Sequence, residues 1–317
     1  MSAELLVTVV IPTRDRQELV ATAVASILRQ SYSRLEALVL DDGSRPPVAR
    51  AALPDDERVQ LLRLESPRGS GAARNVGIRH ARGSLVAFLD DDDAWRPDML
   101  RRLVDALVSH GEEAAAAECG YDLWEDGRVT FRYVPDPGRD LRRMLIERPA
   151  LQPSTVLVRR SALEELGGFD EELQRTEDWE LWIRLADRYD VAVVPEVLVD
   201  RQADHSKPTE AMLEGYVELV RRLEPRFAQL SPAERRRVLA THMFVEGLLH
   251  AALGRPADAR RAFWAAWRRD PRRWLALAHL SRTVFGERPW LAARAVWRRT
   301  RALALRTAGR DPLVRRW

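Results

Sequence analysis

The sequence predicts an α/β fold with a mixed, mainly parallel sheet flanked by helices, followed by an all-α C-terminal region. Short apolar runs alternate with segments of helical periodicity over residues 1–110, a pattern typical of parallel strands that are covered on both faces. From about 110 to 200 the pattern is mixed, and after Pro208 the apolar residues recur at helical spacing. We therefore expect two units, residues 1–208 and residues 209–317.

Within residues 1–110, four apolar runs predict buried strands and two periodic segments predict helices. Aliphatic and β-branched residues dominate the runs, and Pro, Gly or acidic residues end them. The strands are "LLVTVVIP" (5–12), "LEALVLDDGS" (35–44), "RVQLLRLE" (58–65) and "SLVAFLDDDD" (84–93), and the helices are "QELVATAVASILRQ" (17–30) and "SGAARNVGIRHARG" (70–83).

The mixed part contains short strands and one clear amphipathic helix. "TEDWELWIRLADRY" (176–189) has apolar residues at helical spacing, Thr176 at the N-cap position and acids in its first turn, which together predict a helix start. The other predicted elements are two strands paired around "EDG" (125–127), a helix near 138–148, a strand in "PSTVLVRR" (153–160), a short helix in "ALEELGG" (162–168) and one or two strands in "VAVVPEVLVDR" (191–201).

Length and composition are those of a globular protein. The 317 residues are 46% apolar and 31% charged, which suffices for a sizeable core. No apolar run approaches the ~20 residues that a transmembrane helix needs, and the N-terminus lacks the pattern of a signal peptide. Cys119 is the only cysteine, which excludes an internal disulfide and a cysteine-clustered zinc site. We therefore expect a cytoplasmic protein.

The net charge of +3 is unevenly distributed, because residues 255–317 carry 17 arginines and four acidic residues. "LLHAALGRPADARRAFWAAWRRDP" (248–271) resembles one tetratricopeptide-type helical pair, and a single pair cannot form a solenoid. "WLAARAVWRRTRALALR" (290–306) has Trp290 and Trp297 on an apolar face and arginines opposite. Such a helix packs on the first unit or on a second subunit, or lies on an anionic membrane surface. No recognition motif accompanies the charge, so we expect no nucleic-acid binding.

Polar residues follow three of the predicted strands at the point where each strand ends. Because the carboxyl ends of parallel strands share one edge of a sheet, and ligands bind there, we expect these residues to form one site. They are Thr13, Arg14 and Asp15 after the first strand, Asp41 and Asp42 after the second, and Asp90, Asp91, Asp92 and Asp93 after the fourth.

Four consecutive aspartates raise one another's pKa unless a positive charge lies among them. A solvated turn and a pair of hydrolase carboxylates are alternatives to a metal site, and Asp93 is placed to cap the helix predicted in "RPDMLRRLVDAL" (96–107). An EF-hand is excluded, because Trp95 stands where its glycine would be. Oxygen ligands alone suit Mg²⁺ or Mn²⁺, which typically share their coordination with substrate phosphates.

Two further motifs have more than one interpretation. "GSGAAR" (69–74) is similar to a dinucleotide-binding loop, but Arg74 replaces the third glycine and the loop follows the third strand. The loop still allows close backbone approach to a ligand, with Arg74 near a phosphate. Glu177 and Asp178 begin a helix, where acids ordinarily complement the helix dipole, and Trp179 after them is then a core residue.

In this order and spacing, the motifs resemble family 2 glycosyltransferases of the GT-A fold. The resemblance rests on "VTVVIPTRDRQELVATAVASILRQSY", "LEALVLDDGS", "GAARNVGIRHARGSLVAFLDDDDAWRPDML", "GGFDEEL" and "TEDWELWIRL" and covers roughly residues 5–205. It implies a Rossmann-like nucleotide-diphospho-sugar transferase domain, with a nucleotide-sugar half at about 1–110 and an acceptor half at about 111–208. It also implies hexosyltransferase-type sugar transfer with inversion, using Mn²⁺ or Mg²⁺.

The same resemblance implies a role for individual residues. Asp178 matches the general base on the acceptor side, supported by Glu177 and Trp179. Asp92 matches the metal ligand, and His205, at a looser spacing, resembles a late histidine that joins the metal or the diphosphate. The residues implied to bind the nucleotide sugar are Pro12, Thr13, Arg14, Asp41, Asp42, Arg74, Asp90 and Asp91.

Under this interpretation, a cation and its diphosphate explain why the four aspartates lie together. The acceptor is a glycan, a lipid-linked sugar or a small molecule, and the pathway is cell-surface polysaccharide, glycolipid or secondary-metabolite glycosylation. Two alternatives remain: a non-catalytic sugar-nucleotide binder and, less favoured, a two-carboxylate glycoside hydrolase, which needs neither nucleotide nor metal. A cytoplasmic enzyme with peripheral contact at the inner membrane face is compatible with the basic C-terminal helices.

Overall fold

The computed structural model describes residues 5–173, 175–203, 208–285 and 314–316. The strands in these ranges are β1 (Val7–Thr13), β2 (Leu35–Asp41), β3 (Val59–Arg63), β4 (Leu85–Phe88), β5 (Ala94–Trp95), β6 (Ala114–Glu125), β7 (Arg128–Val134), β8 (Val156–Arg159), β9 (Asp190–Gln202) and β10 (Val314–Arg316). The helices are α1 (Gln17–Leu28), α2 (Ser70–His80), α3 (Met99–His110), α4 (Leu141–Glu147), α5 (Arg160–Leu166), α6 (Glu177–Arg188), α7 (Glu210–Arg222), α8 (Glu224–Ala228), α9 (Pro232–Ala252), α10 (Pro256–Arg269) and α11 (Trp274–Phe285).

The strands of the described ranges form one mixed sheet, which confirms the predicted α/β class. Its order is β10-β7-β6-β8-β4-β1-β2-β3, with β9 paired to β6 and β5 paired to β9. β1 runs parallel to β2 and β4, and β2 runs parallel to β3, whereas β8 is antiparallel to both β4 and β6. The carboxyl ends of β1, β2 and β4 therefore lie at one edge, where Thr13 is beside Asp41.

Both faces of the parallel half are buried, which is why its strands are continuously apolar. On β1, Val9 and Ile11 belong to the core beneath α1 and α3, whereas Val10 belongs to the core beneath α2 and α6. All three side chains are fully buried. Since burying an aliphatic side chain of this size contributes about 1.5–3 kcal/mol, two-sided burial favours an unbroken apolar run over an alternating one.

α2 packs so closely on β1 that its contact position requires glycine. A Cβ atom on Gly77 would lie 2.3 Å from Cγ1 of Val10, well inside van der Waals contact. This close packing brings the first turns of α2, which carry Ser70 and Arg74, to the sheet edge where β1 and β4 end.

The described C-terminal helices pack on the sheet-containing unit. Leu213 and Tyr216 of α7, Phe227 of α8 and Val238 of α9 share one apolar core with Trp182 of α6. α9 and α10 pack against each other as the predicted helical pair. The helix predicted at residues 290–306 lies outside the described residues. In the described part of the chain, no helix is both long enough and apolar enough to cross a membrane.

Two details of the helix starts differ from the sequence predictions. α3 begins at Met99, so Asp93 does not cap it, and Asp98 precedes the helix without a capping hydrogen bond from its side chain. Thr176 does occupy the N-cap position of α6, but its hydroxyl donates to the carbonyl of Gly215 (3.3 Å) instead of capping the helix. Thr176 therefore ties the start of α6 to α7.

Candidate active site

A cleft of about 630 Å³ opens at the sheet edge where β1, β2 and β4 end. Nine of the residues implied to act in the site line it, and they come from both the strand ends and the helix starts. They are Pro12, Thr13, Arg14, Asp42, Arg74, Asp90, Asp91, Asp92 and Glu177. The topology thus brings together, in one cleft, polar side chains separated by more than 160 residues in the sequence.

At the β2 end of the cleft, two consecutive aspartates point in different directions. Asp42 accepts hydrogen bonds from the backbone N–H groups of Arg68 (2.7 Å) and Gly69 (2.9 Å), and so fixes the loop before α2 against the cleft. Asp41 is buried behind it and accepts from the N–H groups of Ser44 (2.8 Å) and Val48 (3.1 Å). Asp41 thus shapes the loop after β2 and does not line the cleft.

Charged partners hold the pKa of Asp41 down. Burial alone raises this pKa, but hydrogen bonds from Ser44 and Val48, together with the Arg63 guanidinium, bring it below its ordinary value. Asp41 is therefore a permanently ionised anchor for the loop. Of the two aspartates, only Asp42 lines the cleft.

The four aspartates after β4 contact different side chains, except that Asp91 and Asp92 also share Arg16. Asp90 pairs with Nη2 of Arg74 (2.6 Å), and Asp91 accepts a hydrogen bond from the hydroxyl of Thr13 (2.6 Å). Asp92 pairs with Nη1 of Arg16 (3.0 Å), and Asp93 pairs with Nε of Arg201 (3.3 Å). Asp93 also accepts from the N–H of Gln202 (3.0 Å). The role of Asp93 is therefore to join the turn after β4 to the end of β9.

Positive charge in this cluster does not offset the burial of Asp91, Asp92 and Asp93. Burial raises the pKa of Asp91, and burial together with the Asp90 carboxylate raises the pKa of Asp92. Asp93, which is almost fully buried, has its pKa raised to about 7, again mainly by burial. A group that brings further positive charge to the cluster would be stabilised there.

Among the described residues, no three His, Cys, Asp or Glu side chains converge as a ready metal site. The Asp92 side chain is 26% exposed and borders the cleft, so a carboxylate oxygen is accessible from it. Mg²⁺ and Mn²⁺ commonly bind one or two carboxylates and complete their shell with water and phosphate oxygens. The donor set therefore fits a divalent ion that arrives with a diphosphate. His205 lies outside the described residues.

Glu177 and Asp178 lie in the first turn of α6, beside the aspartate cluster. Oε1 of Glu177 accepts from the hydroxyl of Ser70 (2.5 Å) and from Nη1 of Arg74 (3.3 Å), whereas Oε2 is buried without a hydrogen-bond partner. Arg74 also pairs with Asp90. One guanidinium thus joins the acids after β4 to the acids that begin α6.

Asp178 has the electrostatics of a proton acceptor near neutral pH. Burial and the Glu177 carboxylate raise its pKa to about 7, although Arg74 and the N–H of Trp179 oppose this. That N–H donates to Oδ1 of Asp178 (2.7 Å), which orients the carboxylate. Asp178 is half-buried and, unlike Glu177, does not line the cleft.

Trp179 supports α6 from its buried side and does not line the cleft. Its indole N–H donates to the carbonyl of Leu145 (2.7 Å), and its ring stacks on His242 of α9 at 6.1 Å. His242 in turn donates from Nε2 to the carbonyl of Ile146 (2.9 Å), so its Nδ1 accepts from the Tyr216 hydroxyl (2.9 Å). The C-terminal helices therefore brace the helix that carries Asp178.

Arg16, Ser70 and Arg201 line the cleft as well, although the sequence motifs did not identify them as site residues. Arg16 and Arg201 pair with aspartates of the cluster. The sequence did indicate that such cations exist, because four consecutive aspartates require positively charged side chains nearby. That signal does not specify which of 50 arginines supplies them.

Several characterised or classified proteins are similar to this chain in sequence. An uncharacterized glycosyltransferase of Rickettsia typhi is 25% identical over 66% of this chain and 67% of its own length. The Escherichia coli protein WfgD, named UDP-Glc:alpha-D-GlcNAc-diphosphoundecaprenol beta-1,3-glucosyltransferase, is 25% identical over 57% of this chain and 69% of its own. The Rhizobium meliloti succinoglycan biosynthesis protein ExoO is 40% identical over 34% of this chain and 32% of its own.

Solved structures share the fold. Residues 1–349 of TarS from S. aureus match with a TM-score of 0.56 at 19% identity, over 87% of this chain and 83% of that one. The mannosyltransferase PcManGT from Pyrobaculum calidifontis, determined with GDP-Man and Mn²⁺, matches with a TM-score of 0.53 at 22% identity, over 95% and 81%. These likenesses establish the GT-A fold.

The sequence profile described as "Glycosyl transferase family 2" matches residues 8–167, half of the chain. The match begins at the second residue of β1, contains α2 and the aspartates after β4, and ends one residue after α5, so that α6 lies outside it. Together with the fold and the cleft, it identifies the chain as a glycosyltransferase that belongs to glycosyl transferase family 2.

Proposed function

We propose that this chain transfers a sugar from a nucleotide-diphosphate donor to an acceptor hydroxyl, with inversion and with the help of a divalent metal ion. The observation that carries the proposal is the bridge made by Arg74, which pairs with Asp90 at 2.6 Å and with Glu177 at 3.3 Å. This bridge links the acids suited to a metal-bound diphosphate to Glu177, the sequence neighbour of Asp178, which is suited to proton transfer. Transfer from a nucleotide sugar needs both groups at one reacting centre.

The donor nucleoside is assigned to the part of the cleft between β1 and β2. Pro12 and Thr13 end β1 there, and Asp42 holds the loop containing Gly69 beside them. Arg14 extends into the same region with an exposed side chain, suited to stack on a base or to meet a phosphate. Asp91 is oriented by Thr13 and is assigned to the ribose.

Asp92, with Asp90 nearby, is assigned to hold Mn²⁺ or Mg²⁺ together with the donor diphosphate. Such an ion, when bound, supplies Lewis-acid stabilisation of the negative charge that develops on the departing diphosphate. Arg74 is fixed between Asp90 and Glu177, and its charge makes the cleft favourable for an anionic donor. The assignment of His205 to the same ion or diphosphate remains part of the proposal.

Asp178 is assigned to take the proton from the acceptor hydroxyl. A carboxylate with a pKa near 7 is about half ionised at neutral pH and is a stronger base than an ordinary aspartate. Direct attack by the deprotonated hydroxyl on the donor sugar breaks the bond to the diphosphate in a single displacement. One displacement inverts the configuration at the sugar carbon.

The acceptor is proposed to be a glycan or a lipid-linked sugar of a cell-surface polysaccharide or glycolipid. This follows the names of two relatives, one acting on a diphosphoundecaprenol-linked sugar and one in succinoglycan biosynthesis. Contact of the basic C-terminal region with an anionic membrane surface would suit a lipid-linked acceptor. A small-molecule acceptor is the alternative that an acceptor screen would distinguish.

The first test is calorimetric titration with UDP, GDP, dTDP and ADP, each with Mn²⁺ and each with EDTA. We expect one nucleotide to bind in the presence of Mn²⁺ and to lose most of its affinity with EDTA or in Asp92→Asn. Asp105→Asn, an exposed aspartate on α3, is the matched control and should bind like the wild type. The absence of nucleotide binding under every condition would contradict the proposal.

A second test separates catalysis from binding. Asp178→Asn should bind the same nucleotide with unchanged affinity but lose at least about a hundredfold in sugar transfer, since general-base catalysis contributes roughly 10²–10⁴-fold. Asp187→Asn is the control, because Asp187 lies on the same helix and pairs with Arg226 instead. Full transfer activity in Asp178→Asn would contradict this assignment and would mean that another group acts as the base.

A further inference from the structure

One side chain occupies the place in the aspartate cluster where a cation would bridge two carboxylates. Nη1 of Arg16 lies 3.2 Å from Oδ1 of Asp91 and 3.0 Å from Oδ2 of Asp92. A single guanidinium nitrogen is thus shared between two consecutive acids. The Asp92 oxygen that it meets belongs to the carboxylate assigned to the metal.

A divalent ion and the Arg16 guanidinium cannot both bind the Asp92 carboxylate in this position. A metal bound to Asp92 would hold a carboxylate oxygen at about 2.0–2.2 Å, and the guanidinium nitrogen is 3.0 Å from Oδ2 of the same carboxylate. A charge of +2 and a charge of +1 would then lie only a few ångströms apart, where they repel strongly in a partly buried site. One of the two has to move.

The side chain of Arg16 can change position, whereas its backbone is anchored. Its backbone is fixed at the start of α1, because its carbonyl accepts from the N–H groups of Leu19 (3.1 Å) and Val20 (3.2 Å). Its side chain, however, is 46% exposed and lies along the cleft. The guanidinium can therefore leave Asp92 without disturbing the helix, and the same cleft offers it the phosphates of a donor.

We propose that Arg16 is a displaceable counter-cation that occupies the metal position when no nucleotide is bound. The inference rests on the proposed function, because it takes Asp92 as the metal ligand. It follows that the metal ion alone binds weakly, since it has to displace the Arg16 guanidinium while no phosphate is present to pair with it. When a nucleotide diphosphate arrives with the metal, its phosphate oxygens pair with the displaced guanidinium of Arg16. The metal and the nucleotide therefore bind cooperatively.

The test measures Mn²⁺ binding directly, through the electron paramagnetic resonance signal of free Mn²⁺, without any turnover. Wild type and Arg16→Gln are titrated with Mn²⁺ alone and again in the presence of saturating UDP or GDP. We expect Arg16→Gln to bind Mn²⁺ alone roughly 10- to 100-fold more tightly than the wild type, a size typical of coupling between sites. The added gain in Mn²⁺ affinity from the nucleotide should be correspondingly smaller in the variant.

Arg29→Gln is the matched control, since Arg29 is an exposed arginine at the other end of α1 and does not line the cleft. Its Mn²⁺ affinity should stay within about threefold of the wild type, given screening of more distant charges. Arg16→Lys keeps the charge but not the shared guanidinium geometry, and should give an intermediate Mn²⁺ affinity. It serves as a second variant that retains a cation if Arg16→Gln does not fold.

The outcomes separate this inference from the proposed function. If nucleotide binding by the wild type depends on Mn²⁺, but Arg16→Gln and Arg16→Lys bind Mn²⁺ alone no more tightly than the wild type, the counter-cation role is overturned and the transferase proposal stands. If neither the wild type nor any variant binds Mn²⁺, with or without UDP, GDP, dTDP or ADP, both are overturned.

Discussion

Replacing Asp178 with asparagine should stabilise the folded protein at pH 8 while it removes the proposed base. Burial and the Glu177 carboxylate raise the pKa of Asp178 from 3.8 to about 7. Between these two values the folded state keeps a proton that the unfolded state has released, so the free energy of unfolding falls as the pH rises. Each pH unit of this interval corresponds to about 1.4 kcal/mol, and the upper limit above pH 7 is about 4 kcal/mol.

Because Asp178 is only half-buried, screening by water reduces this limit, and we expect a gain of about 1–2 kcal/mol for Asp178→Asn at pH 8. At pH 5 most of the penalty is absent, so the gain should be less than half as large. The assay is urea unfolding, followed by tryptophan fluorescence at both pH values. Asp187→Asn, on the same helix, should change stability by less than about 0.5 kcal/mol at either pH.

The reasoning would be refuted if Asp178→Asn were less stable than the wild type at pH 8. It would equally be refuted if the gain were the same at pH 5 and pH 8, because a pH-independent gain cannot come from a titrating carboxylate. Either result would mean that the carboxylate of Asp178 is well solvated or well paired in the folded protein.

Three other results are expected. The kcat/KM for sugar transfer should fall about tenfold per pH unit below about pH 7, as Asp178 becomes protonated, and initial rates that stay flat from pH 5 to 9 would contradict its role. His242→Ala should lower the free energy of unfolding by about 2–4 kcal/mol, because it removes a buried ring and its bond to Tyr216; a urea-measured loss below about 1 kcal/mol would contradict this. Gly77→Ala should cost about 1–3 kcal/mol by overpacking, and Val10→Ala in the same chain should offset part of that cost, so additive losses would speak against the clash.

The strands and the site edge were predictable because both depend on local pattern. A strand buried on two faces has to be continuously apolar, and the change to acidic residues at Asp41 and Asp90 marks where each strand ends. Parallel pairing then forces these ends to one edge. Sequence order and spacing were therefore sufficient to identify the cleft, although not its internal contacts.

The partners of individual acids were not predictable, because they depend on contacts between distant segments. Asp41 and Asp42 are neighbours in sequence, yet one is anchored by Arg63 from β3 and the other by the loop before α2. A strand turns successive side chains to opposite sides, and only the pairing register decides which side is the cleft. The misassigned capping role of Asp93 has the same origin, since its partner Arg201 is 108 residues away.

The bracing of α6 suggests that the C-terminal helices influence chemistry as well as stability. An ionised Asp178 beside Glu177 is unfavourable. Loosening of the first turn of α6 would expose Asp178 to water and thereby lower its pKa. The stacking of Trp179 on His242 opposes such loosening. His242→Ala should therefore shift the midpoint of the pH–rate profile to lower pH and, because Asp178 is then a weaker base, reduce the rate above pH 8. If His242→Ala loses stability but keeps the wild-type midpoint of the pH–rate profile, the role of the C-terminal helices is purely structural.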